Sequence, residues 1–313
     1  MDEIVISLDN IEVFQEPCVL AIGMFDGLHI GHRQVIGKAN ELAKKYDAKL
    51  SVLTFSPHPS RVVNMGRPPA ELLFQQDVRA KLFKEAGVEF VFVKNFDIEF
   101  AGKSSDEFET YLKSKFPNLK GIVTGENFVY GKQAKGNPQT LADMAKRCGW
   151  EYSAVNGVYL EDGRRMSSSL MREALKSGDF ALFEKIAGRA YIAQGVVSSG
   201  KKLGRTIGFP TLNLKWNPEC KAPFGVYAVE LFFENKKYLG VANYGVNPTV
   251  AETSPVLETN LFENVDFGEG SYIEVALKKF IRAEKKFANI EELKSQIAKD
   301  KLTAKDYFFS NAL

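Results

Sequence analysis

The sequence predicts an α/β domain followed by a small antiparallel all-β barrel with a covering helix, on three observations. The first half alternates short apolar runs with segments of helical period. The second half is a succession of closely spaced strands punctuated by Gly, Asn and Pro. The length, 313 residues, suits about two domains of ordinary size. A composition of 45% hydrophobic, 26% charged and 12% aromatic residues is that of a globular protein and excludes collagen-like, low-complexity and disordered classes.

Taken in order, residues 19–22 and 49–55 read as buried strands, and between them Val35, Ile36, Ala39, Leu42, Ala43 and Tyr46 recur at helical spacing. That is a βαβ unit. Helices near 76–86 and 104–115 then alternate with strands at 90–93 and 121–124. Asn137 and Pro138 supply an N-cap and first position for another helix before a strand near 152–155. Parallel strands with covering helices are the expected product, and ligands of such sheets sit beyond the carboxyl ends of the strands. Around 167–187 the pattern is helical, with Gly188 as a C-cap, and the domain boundary is placed there, giving 1–187 and 188–313. Strands at 191–197, 226–233, 238–243, 256–262 and 273–281 follow. Closing them into a barrel avoids exposed edges. After Asn289 the apolar Ile290, Leu293 and Ile297, with Tyr307 and Phe308 beyond, read as the covering helix.

The 41 Lys+Arg and 39 Asp+Glu leave a formal charge of +2, too near balance for a protein that lives on nucleic acid. The start, MDEIVIS, has no basic region before an apolar core, and no later apolar run reaches the ~18–20 residues that span a bilayer, so a cytoplasmic protein with no membrane partner is expected. Cys18, Cys148 and Cys220 are far apart and outside any CxxC pattern, which points to buried free thiols rather than disulfides or zinc. The oligomeric state is left open.

All three histidines, His29, His32 and His58, fall early in the chain. Two of them belong to Gly23-Met24-Phe25-Asp26-Gly27-Leu28-His29-Ile30-Gly31-His32, a turn between a buried strand and an amphipathic helix. Gly23, Gly27 and Gly31 allow close approach of the backbone, the helix start offers free N–H groups, and two imidazoles can donate to phosphate oxygens. Such donors stabilise the charge that develops when an α-phosphate is attacked and pyrophosphate leaves. There is no G-x-x-x-x-G-K-[ST] and no G-x-G-x-x-G after a strand, which argues against P-loop and ordinary dinucleotide-binding domains. Ser167, Ser168 and Ser169, one turn ahead of Arg172, form a second possible phosphate clamp, although alone they read as plain N-capping. In the second half, Gly204-Arg205-Thr206-Ile207-Gly208-Phe209-Pro210-Thr211-Leu212-Asn213 joins a glycine-rich loop to a hydroxyl and an amide two residues apart. On a strand Thr211 and Asn213 face one side and can together offer oxygens to Mg²⁺ between nucleotide phosphates; alone, the segment reads as a turn entering a strand.

The turn around His29 and His32 resembles the H-x-G-H nucleotidyltransferases, and its fuller form resembles the first half of prokaryotic bifunctional riboflavin kinase/FMN adenylyltransferases, or FAD synthetases. Further segments match in order. Thr54-Phe55-Ser56-Pro57-His58-Pro59, Gly125-Glu126-Asn127-Phe128-Val129-Tyr130-Gly131 and Ser167-Ser168-Ser169-Leu170-Met171-Arg172 resemble that half, and 204–213, Gly225-Val226-Tyr227, Gly240-Val241-Ala242-Asn243 and Leu257-Glu258-Thr259-Asn260-Leu261 resemble the kinase half. The resemblance implies a Rossmann-like first domain and a riboflavin kinase barrel. It implies riboflavin, FMN, FAD and ATP as substrates and products, with Mg²⁺ as cofactor. It also implies nucleotide contacts from Gly23, Phe25, Asp26, Gly31, Ser167, Ser168, Ser169, Arg172, Gly204, Arg205 and Thr206. Flavin contacts are implied for His58, Pro59, Asn127, Tyr130 and Phe209, metal contacts for Thr211 and Asn213, and catalysis for His29, His32 and Glu258, the last as base. The sequence departs from the pattern at Asn127, Val129, Ser169, Leu212, Val246, Asn247 and Asn260; Leu212 between the two metal ligands would crowd the nucleotide loop. Two rival readings stand: a paralogue with only the adenylyltransferase step intact, and a flavin- or nucleotide-binding regulator without turnover.

Overall fold

The computed structural model describes residues 4–63, 66, 68–199, 208–246 and 254–310. The chain divides into two compact units, Met1–Ser168 and Ser169–Leu313. This division lies before the 187/188 position chosen from the sequence, so the helices in between are described with the second unit.

The first unit holds strands β1 (Val5–Ser7), β2 (Cys18–Ile22), β3 (Lys49–Ser56), β4 (Phe90–Asn95), β5 (Leu119–Gly125) and β6 (Glu151–Val155). Its helices are α1 (Ile30–Lys45), α2 (Gln76–Glu85), α3 (Ile98–Ala101), α4 (Ser105–Lys115) and α5 (Pro138–Cys148). The sheet order is β1-β4-β3-β2-β5-β6, and every pairing is parallel. From β2 the chain builds outward through β3 and β4, then crosses to β5 and β6 on the other side. The crevice beyond the carboxyl ends of β2 and β5 is therefore the topological switch point, where open α/β sheets bind ligands. Every residue of β2 is buried, as expected of a strand covered on both faces. Local signals set the helix ends: Ser104 and Glu107 form a capping box on α4, Asn137 caps α5, and Gly149 ends α5 at φ 72°. The strand β1 goes unread in the sequence. It is three residues long and is held by β4, which is distant in the chain.

The second unit begins with α6 (Ser168–Ser177, its first residue in the first unit) and α7 (Phe180–Ala187), separated by Gly178 at φ 77° and capped anew by Asp179, whose carboxylate accepts the Leu182 N–H. The strands β7 (Tyr191–Ser198), β8 (Leu212–Lys215), β9 (Gly225–Phe233), β10 (Lys236–Val246), β11 (Pro255–Leu261) and β12 (Tyr272–Ala283) close an antiparallel barrel in the order β10-β11-β8-β7-β12-β9. Inside it Tyr191, Leu214, Val229, Leu231, Tyr244, Leu257 and Val275 are buried. The alternate residues face outward. The last helix, α8 (Ile290–Ser310), covers part of that outer surface by packing Ala304 on Val226, Ala228 and Val241. Asp300 of α8, 4% exposed, receives the Arg282 guanidinium of β12 at 2.7 and 2.9 Å, so this buried charge is paired.

Candidate active sites

In the first unit the parallel topology sends the motif loops to one edge, because β2, β3 and β5 all end there. The loop after β2 is the histidine turn. Phe25, Gly27 and Leu28 have φ of 50°, 78° and 41°, and for the two bulky residues that backbone is strained by about 1–3 kcal/mol each. Burial of both side chains stabilises it. The Phe25 ring meets the His32 ring edge-on at 5.3 Å and Phe83 at 5.9 Å, so it props the imidazole from the core side. His29 is the N-cap of α1: its Nδ1 accepts the His32 backbone N–H at 3.3 Å. That acceptance leaves the proton of the neutral ring on Nε2. The two imidazoles stack with centroids 3.6 Å apart. A Cβ at Gly31 would lie 3.1 Å from the His29 ring, so a side chain there would push that ring by a few tenths of an ångström.

Asp26 turns inward. It is 1% exposed, its carboxylate accepts the Leu73 N–H at 3.1 Å, and its carbonyl accepts the Ser168 hydroxyl at 2.7 Å. Behind the turn the Met24 carbonyl accepts both the Arg79 guanidinium at 2.9 Å and the Thr54 hydroxyl at 3.2 Å. Burial pulls the Arg79 guanidinium below its ordinary value, and the Asp26 carboxylate opposes that shift. Sequence reading misses Arg79, whose place on an amphipathic helix gives no sign that it reaches the strand ends.

The loop after β3 carries His58, whose Nδ1 accepts the Ser60 N–H at 3.2 Å, with Pro59 opening a short 3₁₀ turn. After β5, Asn127 is exposed at the loop tip, with its Oδ1 beside Gly125, and the neighbouring Glu126 accepts the Gly157 N–H at 2.9 Å. Tyr130 lies in the aromatic core: it packs 5.1 Å from Phe108 and its hydroxyl meets that of Thr140 at 3.1 Å. Among the clamp residues, Ser167 and Ser168 belong to the first unit, and Ser169 (exposed) and Arg172 (half-buried) to the second.

In the second unit the register decides the geometry. Asn213 of β8 lies opposite Glu258 of β11, Glu258 also lies opposite Asn243 of β10, and Ser198 of β7 lies opposite Asn213. Directly opposed residues share a face with Cβ atoms about 5 Å apart. Four polar side chains thus form a row on the outer surface of the barrel, and Ser198 and Asn243 are members that sequence reading leaves without a role. Each follows or precedes buried apolar neighbours, but only the pairing shows that they align. Leu212 is opposite Thr259, on the face away from Asn213, so it does not stand between the two proposed metal ligands. Thr211 directly precedes β8 and is half-buried. Phe209 lies beneath the Lys301 ammonium of α8 at 5.6 Å. Gly204, Arg205, Thr206 and Asn247 lie outside the described residues.

Comparison with known proteins matches the two halves of the chain to two family models. A family model described as FAD synthetase matches residues 11–170, and one described as riboflavin kinase matches residues 187–308. The bifunctional riboflavin kinase/FMN adenylyltransferase of Bacillus subtilis (strain 168) is 37% identical over 94% of this chain and 93% of its own. That of Escherichia coli (strain K12) is 36% identical over 94% of each chain, and that of Haemophilus influenzae 34% identical over 98% of this chain and all of its own. A solved structure of a Streptococcus pneumoniae protein described as a macrolide-efflux protein matches with a TM-score of 0.83 and 28% identity, covering 97% of this chain and 99% of that one. Among the described residues no helix is long and apolar enough to cross a membrane.

Proposed function

The chain belongs to the family of bifunctional riboflavin kinases/FMN adenylyltransferases, and on that premise we propose how its own residues divide two reactions. The enzyme phosphorylates riboflavin to FMN with ATP, then adenylylates FMN to FAD with release of pyrophosphate. The barrel unit runs the first step and the parallel-sheet unit the second. The motif sets are assigned to 188–313 and 1–187, with α7 packed on β7 and β12 of the barrel.

For phosphorylation, Glu258 takes the proton of the ribityl 5′-hydroxyl as that oxygen bonds to the γ-phosphorus and the bond to the ADP oxygen breaks. The observation that carries this reading is the pairing of Glu258 with Asn213, because it sets a carboxylate beside an oxygen donor on one open face. The donor chemistry fits Mg²⁺: Thr211 and Asn213 offer neutral hard oxygens, and Mg²⁺ characteristically uses few protein ligands and completes its shell with phosphates and water. When bound, the ion neutralises phosphate charge. Gly204, Arg205 and Thr206 are assigned to the nucleotide, and Phe209 to the flavin.

For adenylylation, an FMN phosphate oxygen attacks the α-phosphorus and pyrophosphate leaves. His29 and His32 stabilise the charge that develops, with Gly23 and Gly31 admitting the phosphates. Phe25 and Asp26 contribute through the turn they hold, and Ser167 and Ser168 through the second phosphate clamp. His58, Pro59, Asn127 and Tyr130 are assigned to the flavin side, Tyr130 by supporting the loop from beneath. Three free cysteines accord with a cytoplasmic enzyme. Separating the flavins formed from riboflavin, ATP and Mg²⁺ tests the reading. FMN and FAD together support it; FAD from supplied FMN without FMN from riboflavin selects the one-step paralogue, and binding without either product selects the regulator.

A further inference from the structure

Asn260 follows Glu258 by two residues on β11 and therefore shares its outward face. It is only 5% exposed, and its Nδ2 donates to the Pro210 carbonyl at 2.6 Å. The ladder between β8 and β11 begins at Leu212 opposite Thr259. One step further Asn260 would face Thr211, but the ladder ends there, and Pro210 has no N–H with which to extend it. The Asn260 side chain takes the Pro210 carbonyl in place of a backbone donor. The same segment has a second anchor, the Lys301 ammonium over the Phe209 ring. Thr211 is thus held from one side by β8 and from the other by a side chain of the strand that carries Glu258.

We propose that Asn260 is a positioning residue of the kinase site, which clamps Pro210 and so fixes the Thr211 hydroxyl relative to Glu258 and Asn213. This rests on the assignment of Thr211 to Mg²⁺-nucleotide binding. The bond is short and its donor is buried, so its loss frees the segment at the residue next to the proposed ligand. Glu258 itself stays in the ladder between Asn213 and Asn243, and the base keeps its place.

The test is a cycle of Asn260→Ala, Thr211→Ala and the double variant in the full chain, with riboflavin phosphorylation followed against Mg²⁺ and Mg·ADP affinity measured by calorimetry. Asn260→Ala should raise the Mg²⁺ needed for half-maximal rate and weaken Mg·ADP binding by up to about tenfold, the scale of one hydrogen bond. The riboflavin KM should stay within about twofold. If Asn260 acts through Thr211, the double variant is no worse than Thr211→Ala alone. Asn260→His retains an N–H donor and should restore most of the affinity, which also guards against a fold lost in the alanine variant. Independent, additive losses, or an unchanged Mg²⁺ dependence in Asn260→Ala, would overturn the assignment. A parent chain that makes no FMN from riboflavin would instead overturn the kinase reading on which it rests.

Discussion

The His29 Nδ1 accepts the backbone N–H of His32, and the two imidazoles lie face to face, 3.6 Å between centroids and 21° from parallel. One ring thereby caps the helix, fixes its own tautomer and supports the other. The strain at Phe25 and Leu28 is the cost of bringing both rings to the end of β2.

From this arrangement, His29→Ala and His32→Ala should each lower adenylylation of FMN by about a hundredfold or more while riboflavin phosphorylation persists. Gly31→Ala, which adds a methyl 3.1 Å from the His29 ring, should displace that ring without removing it and so lower adenylylation less than His29→Ala does. Rates with each flavin as substrate measure this; equal loss of both activities in a folded variant would contradict separate sites.

Much of this was legible beforehand. The apolar periods give β2, α1 and β3 because those segments are buried on continuous faces, and the turn between them carries its own glycines and histidines. The short strand β1 carries too little sequence to declare itself. The row Ser198, Asn213, Glu258 and Asn243 depends on register between strands far apart in the chain, which no local pattern encodes. Arg79 is invisible for the same reason, since its partners Met24 and Thr54 come from two other segments.

A second prediction concerns acid. Glu109 accepts from Lys113 at 2.9 Å, Arg147 at 2.6 Å and Cys148 at 3.3 Å, and these bonds, Lys113 first, hold its carboxyl down at about 2 against burial, which raises it. A lowered folded value stabilises the protein above the ordinary carboxylate range and loses that contribution as pH falls toward 2. Glu109→Gln should therefore cost on the order of 1–2 kcal/mol at pH 7 and flatten the fall in stability below about pH 4.5. Denaturant melts at pH 7, 4 and 3 measure the difference, and an unaltered slope in the variant would refute it.

The third prediction concerns α7. Phe180, Phe183 and Ile186 are buried, Phe183 packs on Tyr191 at 5.2 Å, Phe180 on Tyr227 at 5.5 Å, and Glu184 receives Lys278 at 2.7 Å. At about 1.5–3 kcal/mol for each buried side chain, removing the helix costs a large share of an ordinary domain's stability. A barrel fragment that starts at Ser169 should melt cooperatively, and one that starts at Gly188 should melt much lower or not fold. Equal thermal midpoints by circular dichroism would show that α7 is dispensable.

If the two chemistries run on separate groups, one of them on Glu258, then Glu258→Gln separates them. The glutamine keeps the shape and hydrogen bonding of the strand residue but cannot take the 5′-hydroxyl proton. With riboflavin and ATP the variant should make FMN about a hundredfold to ten-thousandfold more slowly than the parent, while FAD from supplied FMN forms at the parent rate. FMN formed from riboflavin at the parent rate would remove Glu258 from the mechanism, and joint loss of both reactions in a folded variant would contradict the division between the two units.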